Sequence, residues 1–374
     1  NAGQNFSLYY IDVWGNKELI HRDKHMSVAF LSPVRPMRRP PVLQELPEGP
    51  ADAPRYAVAS VADVHADWSD TEAGRIRYLR ISQKVPWPCV PDETKSCGFN
   101  DLHWMPAAWD PVLGMWDWGT ARVIGIVPVE EDGSAHFKVP ADQTVYFHAL
   151  DENYLELRRM RSNVTFRGGE SRSCIGCHET RAVTPPPHRT SVPLAMLREP
   201  SEPVPPLWGD RIVPDYEQHI QPIFDRHCVR CHGQQEPEGG LEFTARRIDG
   251  YMQSYRTMFG LSAQDATPFA KNYWSIWYPN QPKLDDQAHN AAKTFLRNVL
   301  RDPPASQLVA LADYMGGAEV TQPLQFGSGT SKLTLTLLHD AEHKREVGLS
   351  EDEWLALVTW VDLNAQYWGT FVEK

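Results

Sequence analysis

Cys174-Ile175-Gly176-Cys177-His178 and Cys228-Val229-Arg230-Cys231-His232 set one pattern, Cys-x-x-Cys-His, twice into a chain of 374 residues. At this spacing two thiols can add across the vinyl groups of one haem, and the histidine that follows can reach the iron. A four-thiolate zinc site needs no histidine directly after both pairs. A dithiol redox centre sits at a strand-to-helix turn of a βαβ unit, and no such unit is legible here. The two motifs therefore imply two covalently bound haem c groups. Cys174, Cys177, Cys228 and Cys231 are the attachment points, and His178 and His232 the proximal ligands.

The sequence around the second motif is helical in texture. Tyr216 to Cys228 places Ile220, Ile223 and Phe224 on one face and runs into the motif. The chain closes with a helix opened by a Ser350–Glu353 capping box, with Trp354, Leu357, Val358 and Val361 at helical spacing. Leading helix, haem motif, loops and terminal helix together predict a mainly α, cytochrome c-like domain over residues 211–374, carrying haem 2.

The first motif ends a different region. Arg75 to Ile81, Val123 to Val129, Ala135 to Val139, Gln143 to Asp151 and Leu155 to Met160 read as strands, and Asp132-Gly133 reads as the turn of a hairpin. Residues 55–184 are predicted to form a β-rich, sandwich-like domain that carries haem 1 on a loop at the sheet edge, introduced by Gly168-Gly169-Glu170. The expected fold class is thus α+β and multidomain. Before it, Leu8 to Ile20 reads as a hairpin turning at Gly15-Asn16-Lys17, a propeller-like arm. Seven prolines between Pro33 and Pro54 make an extended strap that completes an N-terminal segment 1–54. Eight prolines between Pro185 and Pro206 mark a linker over 185–210.

A net charge of -11, made more negative by haem propionates, argues against nucleic acid or an anionic membrane surface as partner and favours a basic redox protein or another cytochrome subunit. No apolar run reaches the roughly 18 residues a spanning helix needs. Haem attachment through cysteine takes place outside the bacterial cytoplasm, so a periplasmic or other extracytoplasmic location is expected. In that compartment Cys89 and Cys97 are expected to form a disulfide, with a pair of zinc ligands or free thiols as the alternatives. No signal peptide is visible; either one was removed or the chain is a piece of something longer. Of the 13 tryptophans, Trp104, Trp109, Trp116 and Trp118 crowd together, as a core rich in large rings or a docking face for a neighbouring subunit would have them.

Arg172-Ser173-Cys174-Ile175-Gly176-Cys177-His178-Glu179, preceded by Met160-Arg161-Ser162 and Gly169-Glu170, resembles the middle haem segment of the hydrazine synthase α-subunit family. Ile11 to Leu19, Gly125 to Ser134, Gln221 to Cys228 and Val358 to Asn364 are similar to the same family, in the same order along nearly the whole chain. The resemblance implies a propeller-derived arm, a β middle domain with haem 1 and a cytochrome c domain with haem 2. In hydrazine synthase the middle haem is catalytic, and a tyrosine shortly after the motif replaces histidine on the iron. Glu179 to His188 contains no tyrosine, so His178 is expected to be an ordinary proximal ligand, and the hydrazine-forming reaction is not implied.

The second axial ligands decide the function, because an iron with two strong protein ligands passes electrons and one with an open position can transform a small molecule. For haem 2 the resemblance points to a histidine shortly before the terminal helix. His343 is that residue, with His339 as rival. His219 reads as a surface residue, and His227 as a hydrogen-bonding neighbour of the porphyrin. For haem 1, His136, His148, His103, Met105 and His188 are the candidates, beside an open site. Electron transfer is the leading reading, candidate acid–base groups Glu170, Glu179, Asp151 and His136, chosen by sequence proximity, would serve the alternative of a haem enzyme, and a docking subunit of a larger cytochrome complex is the third class.

Overall fold

The computed structural model describes residues 6–23, 28, 55–66, 75–85, 121–177, 192–248, 251–262, 303, 305–312, 321–367 and 369. Cys89, Cys97, His103, Met105, the tryptophans from Trp104 to Trp118, His178, Glu179 and His188 lie outside the described residues. The chain divides into two compact units, Asn1–Gly49 and Pro50–Lys374. In the first, β1 (Leu8–Ile11) and β2 (Lys17–His21) form the expected antiparallel hairpin. Its turn is held by the Asp12 carboxylate, which accepts from the amides of Trp14 and Asn16 at 2.9 Å each, an Asx turn closed by Gly15 at positive φ.

In the second unit β3 (Tyr56–Val61), β6 (Ala135–Pro140) and β10 (Ser171–Cys174) form a sheet in the order β10-β3-β6. A second sheet, in the order β5-β4-β7-β8, holds β4 (Tyr78–Lys84), β5 (Ala121–Pro128), β7 (Thr144–Leu150) and β8 (Glu156–Arg159), with β9 (Val164–Thr165) beside β7. Side chains alternate along each strand. Ala57, Ala59, Phe137 and Val139 from the small sheet meet Leu79, Ile81, Val127, Val145 and Leu157 from the large one in a single core. Two β faces closed on each other make the sandwich-like domain.

The turn at Asp132-Gly133 forms, with the Glu130 amide donating to the Ser134 carbonyl at 2.8 Å. It does not close a hairpin ladder: β5 pairs with β4, and β6 with β3. A two-stranded ribbon would leave one face of each strand uncovered, whereas crossing from one sheet to the other buries both. The proline-rich stretch from Val192 to Asp210 is likewise packed rather than free. Val204 and Ile126 exchange backbone hydrogen bonds at 2.9 Å, and the Ser201 amide donates to the His136 carbonyl at 2.9 Å. The strap thereby pairs the polar edges of β5 and β6.

The C-terminal half carries α1 (Gln221–His227), led by the π turn Tyr216–Ile220. It continues with the pair β11 (Arg247–Ile248) and β12 (Tyr251–Met252), then α2 (Gln253–Met258), α3 (Lys332–His339), α4 (Ala341–Glu346) and α5 (Glu351–Asp362). As the sequence predicts, Ile220 and Phe224 face Leu357 and Val361 across a core that also takes Tyr216, Tyr255, Trp360 and Tyr367. The Ser350–Glu353 capping box is present at the start of α5.

The outer face of the large sheet is covered by this half of the chain. Val123 and Tyr146 pack against Ala312, Phe326 and Leu363. Between them Asp362, at the end of α5, accepts from Arg80 Nη1 at 2.5 Å and from the Ser328 amide at 2.6 Å. Ser328 Oγ accepts in turn from the Glu156 amide at 2.8 Å. The Glu156 carboxylate faces Arg159 Nε at 2.6 Å and His148 Nδ1 at 2.7 Å. All five ionisable side chains are buried. Gly327 has φ +85°, and a Cβ there would come to 3.0 Å from Asp362 Oδ1 and 3.1 Å from the Glu156 carboxyl, so only glycine lets this loop close over the cluster.

Burial, then the charges of Arg159 and Arg80, hold His148 well below the ordinary imidazole range. Burial raises the Glu156 carboxyl against the pull of Arg159, and it raises Asp362 with help from the Glu156 charge. The signs differ. Neutral His148 contributes stability above about pH 6.5 that is lost as the unfolded chain takes up a proton below it. The two carboxyls contribute most at low pH and lose that contribution as the pH rises through their raised values.

Replacing Asp362 with Ala leaves the Arg80 guanidinium buried and unpaired, and urea unfolding should show a loss of about 3–5 kcal/mol. Lys138→Ala, which breaks the exposed pair with Glu202, should leave the urea midpoint nearly unchanged. Between pH 7.5 and 5.5 the wild type should lose urea resistance, and His148→Gln should lose distinctly less. An identical pH dependence in the two proteins would refute the role given to His148.

Candidate functional site

The second motif begins where α1 ends. The Cys228 amide donates to the Phe224 carbonyl at 2.8 Å, the last bond of the helix. The Cys228 carbonyl then accepts from Cys231 at 3.1 Å and from His232 at 2.9 Å, so the three side chains leave one tight turn. The His232 ring is fixed from behind. Its Nδ1 lies 3.0 Å from the Glu238 carbonyl and 3.1 Å from that of Leu241, and its edge meets Phe243 at 5.0 Å between centroids. That arrangement leaves Nε2 to point away from the backbone.

His343 stands across from it on α4. Asp340 caps this helix, accepting from the amides of Glu342 at 3.1 Å and His343 at 2.9 Å, and the same oxygen holds His343 Nδ1 at 2.8 Å. The backbone amides and the side chain of His343 keep the Asp340 carboxyl below the usual range. Arg230, inside the motif, donates to the carbonyl and the carboxylate of Glu346 at 3.1 Å each and so ties α4 to the motif loop. The rings of His232 and His343 lie 6.5 Å apart with planes 17° from parallel. Two imidazoles bonded to one metal from opposite sides at about 2.0–2.1 Å hold their centroids roughly 6.4 Å apart, allowing about 1.2 Å from each nitrogen to its ring centre. Both rings also carry the outer hydrogen bond on Nδ1 that orients a metal-bound histidine.

The donor chemistry fits a haem c. Burial pushes the Cys228 thiol up to about 12, which disfavours the thiolate that a thiol-bound metal ion requires. Cys228 and Cys231 would carry the group, His232 and His343 would hold its iron, and Phe243 would line it. His339 ends α3 and is not paired with His232. His227 bonds Glu353 on α5 at 3.1 Å. His219 is half-buried, with Nδ1 against the Asp215 backbone and its ring 5.5 Å from Trp208.

The first motif starts at the end of an edge strand. β10 runs parallel to β3 with Cys174 beside Val61. The Cys174 carbonyl accepts from Ala62 at 2.9 Å and the Ile175 carbonyl from Asp63 at 3.0 Å, while a Cβ on Gly176 would sit 2.8 Å from that of Ala66. Cys174 and Cys177 pack on the sandwich core. His136 Nδ1 faces the Arg198 carbonyl at 3.2 Å under the strap, and His148 is enclosed in the charge cluster described above. Glu170 is engaged by the Arg167 amide and by Arg172 Nε at 2.8 Å each, which lower it; Asp151 caps a turn at Asn153 and Leu155 and is raised by burial. One histidine beside this motif carries no such signal in the sequence: His65, in Asp63-Val64-His65, stands in the segment hydrogen-bonded to Cys174 and Ile175.

A β sandwich ending in one Cys-x-x-Cys segment and a helical half holding another define the architecture. Residues 74–179 match the family model of the hydrazine synthase alpha subunit middle domain. Over those residues the chain is similar to that domain, in line with the resemblance read from its motifs there. Among solved structures, hydrazine synthase of Kuenenia stuttgartiensis is 16% identical with a TM-score of 0.47, over 85% of this chain and 44% of that one. The chain thus spans less than half the length of that structure. No curated protein matches the sequence.

Proposed function

We propose that the protein is an extracytoplasmic dihaem c-type cytochrome that transfers electrons, with haem c bound at Cys174 and Cys177 and at Cys228 and Cys231. The observation that carries this reading is the His232–His343 pair, 6.5 Å apart and nearly parallel, each ring fixed through Nδ1. Haem supplies an iron that takes up or gives back one electron. Around the second motif Asp340 and the carbonyls of Glu238 and Leu241 orient the two imidazoles that would hold the iron, and Arg230–Glu346 keeps α4 in place. Two fixed ligands would leave little to rearrange when the charge changes.

The net charge of -11 suits a basic redox protein as partner. Among the described residues no helix is long and apolar enough to cross a membrane. A second reading, a haem enzyme acting on a small molecule at haem 1, is favoured by the middle-domain match to hydrazine synthase. Docking within a larger cytochrome complex is compatible with either.

In protein matured with haem, His343→Ala should turn about half of the haem from low-spin to high-spin and allow it to bind carbon monoxide, read by absorption of the reduced protein. Asp340→Asn should give a weaker change in the same direction. A His343→Ala spectrum identical to the wild type would contradict the assignment.

A further inference from the structure

We infer that His65 is the second axial ligand of the haem bound at Cys174 and Cys177, through Nε2. This deepens the dihaem reading and rests on it. The segment carrying His65 is joined to the first motif by the hydrogen bonds from Ala62 to Cys174 and from Asp63 to Ile175 and by the contact of Ala66 with Gly176. On its other side the β5–β6 turn closes on it. The Val64 amide donates to the Gly133 carbonyl at 2.8 Å, and a Cβ on Gly133, which has φ +78°, would fall 2.8 Å from His65 Nδ1 and 2.2 Å from Asp63 Oδ1. The segment is thus clamped between the motif and a turn that only glycine permits. Val64 is fully buried in the sandwich core, which anchors it further.

The ring is oriented as a metal ligand is. Asp63 Oδ1 accepts from the His65 amide at 3.0 Å and lies 3.4 Å from its Nδ1. Asp340 likewise bonds the amide of His343, and there its Nδ1 as well. In each case a carboxylate two or three residues ahead holds the histidine's backbone and lies beside Nδ1. His65 Nε2 is buried and has no hydrogen-bond partner among the described residues, and its side chain is only 13% exposed. A buried ring nitrogen held in this way is unfavourable unless something accepts its lone pair or proton. An iron beside Cys174 and Cys177 would do so. The other described histidines of the sandwich are engaged elsewhere, His136 with the Arg198 carbonyl and His148 with Glu156.

The test compares wild type, His65→Ala and His65→Gln, all matured with haem, by electron paramagnetic resonance of the oxidised protein and carbon monoxide binding to the reduced one. The wild type should be low-spin at both irons and bind no carbon monoxide. His65→Ala should be high-spin at one iron, bind carbon monoxide at about half of the haem, and return to low-spin on addition of imidazole; His65→Gln, which keeps size and polarity, should lose the ligand equally. Wild-type spectra in both variants, or a wild type already high-spin at one iron, would overturn the assignment. Absence of haem from the Cys174–Cys177 peptide would instead overturn the dihaem reading on which it rests.

Discussion

The Arg80–Asp362 ion pair is the constraint on which the second unit turns. It joins the middle strand of the large sheet to the last residue of α5, and neither charge is exposed. Such a pair is costly to bury. Ser328 meets Asp362, and Glu156 meets Arg159 and His148, while Arg80 Nε and Nη2 stay buried without a hydrogen-bond partner among the described residues, and Gly327 and Gly329 let the covering loop approach Glu156 closely. The consequence is directional. An apolar face would let the helical half slide over the sheet, whereas fixed charges and hydrogen bonds specify one register.

That register bears on function because each half carries a Cys-x-x-Cys segment. β10 leads to Cys174 from the small sheet, and α1 leads to Cys228 from the helical core. The sandwich core and the charge cluster lie between the first segment and α5, and Arg226 and His227 of α1 are tied to Glu353 of α5. Two redox groups that exchange electrons need a fixed separation more than they need mobility. A network of buried charges serves that need at the expense of stability that a purely apolar interface would give.

Much of this was legible in the sequence. The helical spacing of Ile220, Phe224, Leu357 and Val361 located the second core, and Ser350 with Glu353 marked the start of α5. Alternation located β4 to β8, and a local resemblance singled out His343. What failed to show was whatever depends on a distant partner. Arg80 and His148 alternate with apolar neighbours, so each reads as the solvated side of a strand, until the C-terminal half covers that side. Asp132-Gly133 reads as a hairpin turn, because local chemistry fixes a turn but not which strands flank it in a sheet. His65 gives no periodic signal; only the fold brings its loop against Cys174.

The central claim is that haem is covalently attached at two sites on this chain. Mass spectrometry of the intact, denatured protein, produced in a host that matures c-type cytochromes and followed by peptide mapping, tests it most directly. The expected result is the chain plus two haem masses, one on the peptide with Cys174 and Cys177 and one on the peptide with Cys228 and Cys231. A protein that retains one haem or none after denaturation would contradict it.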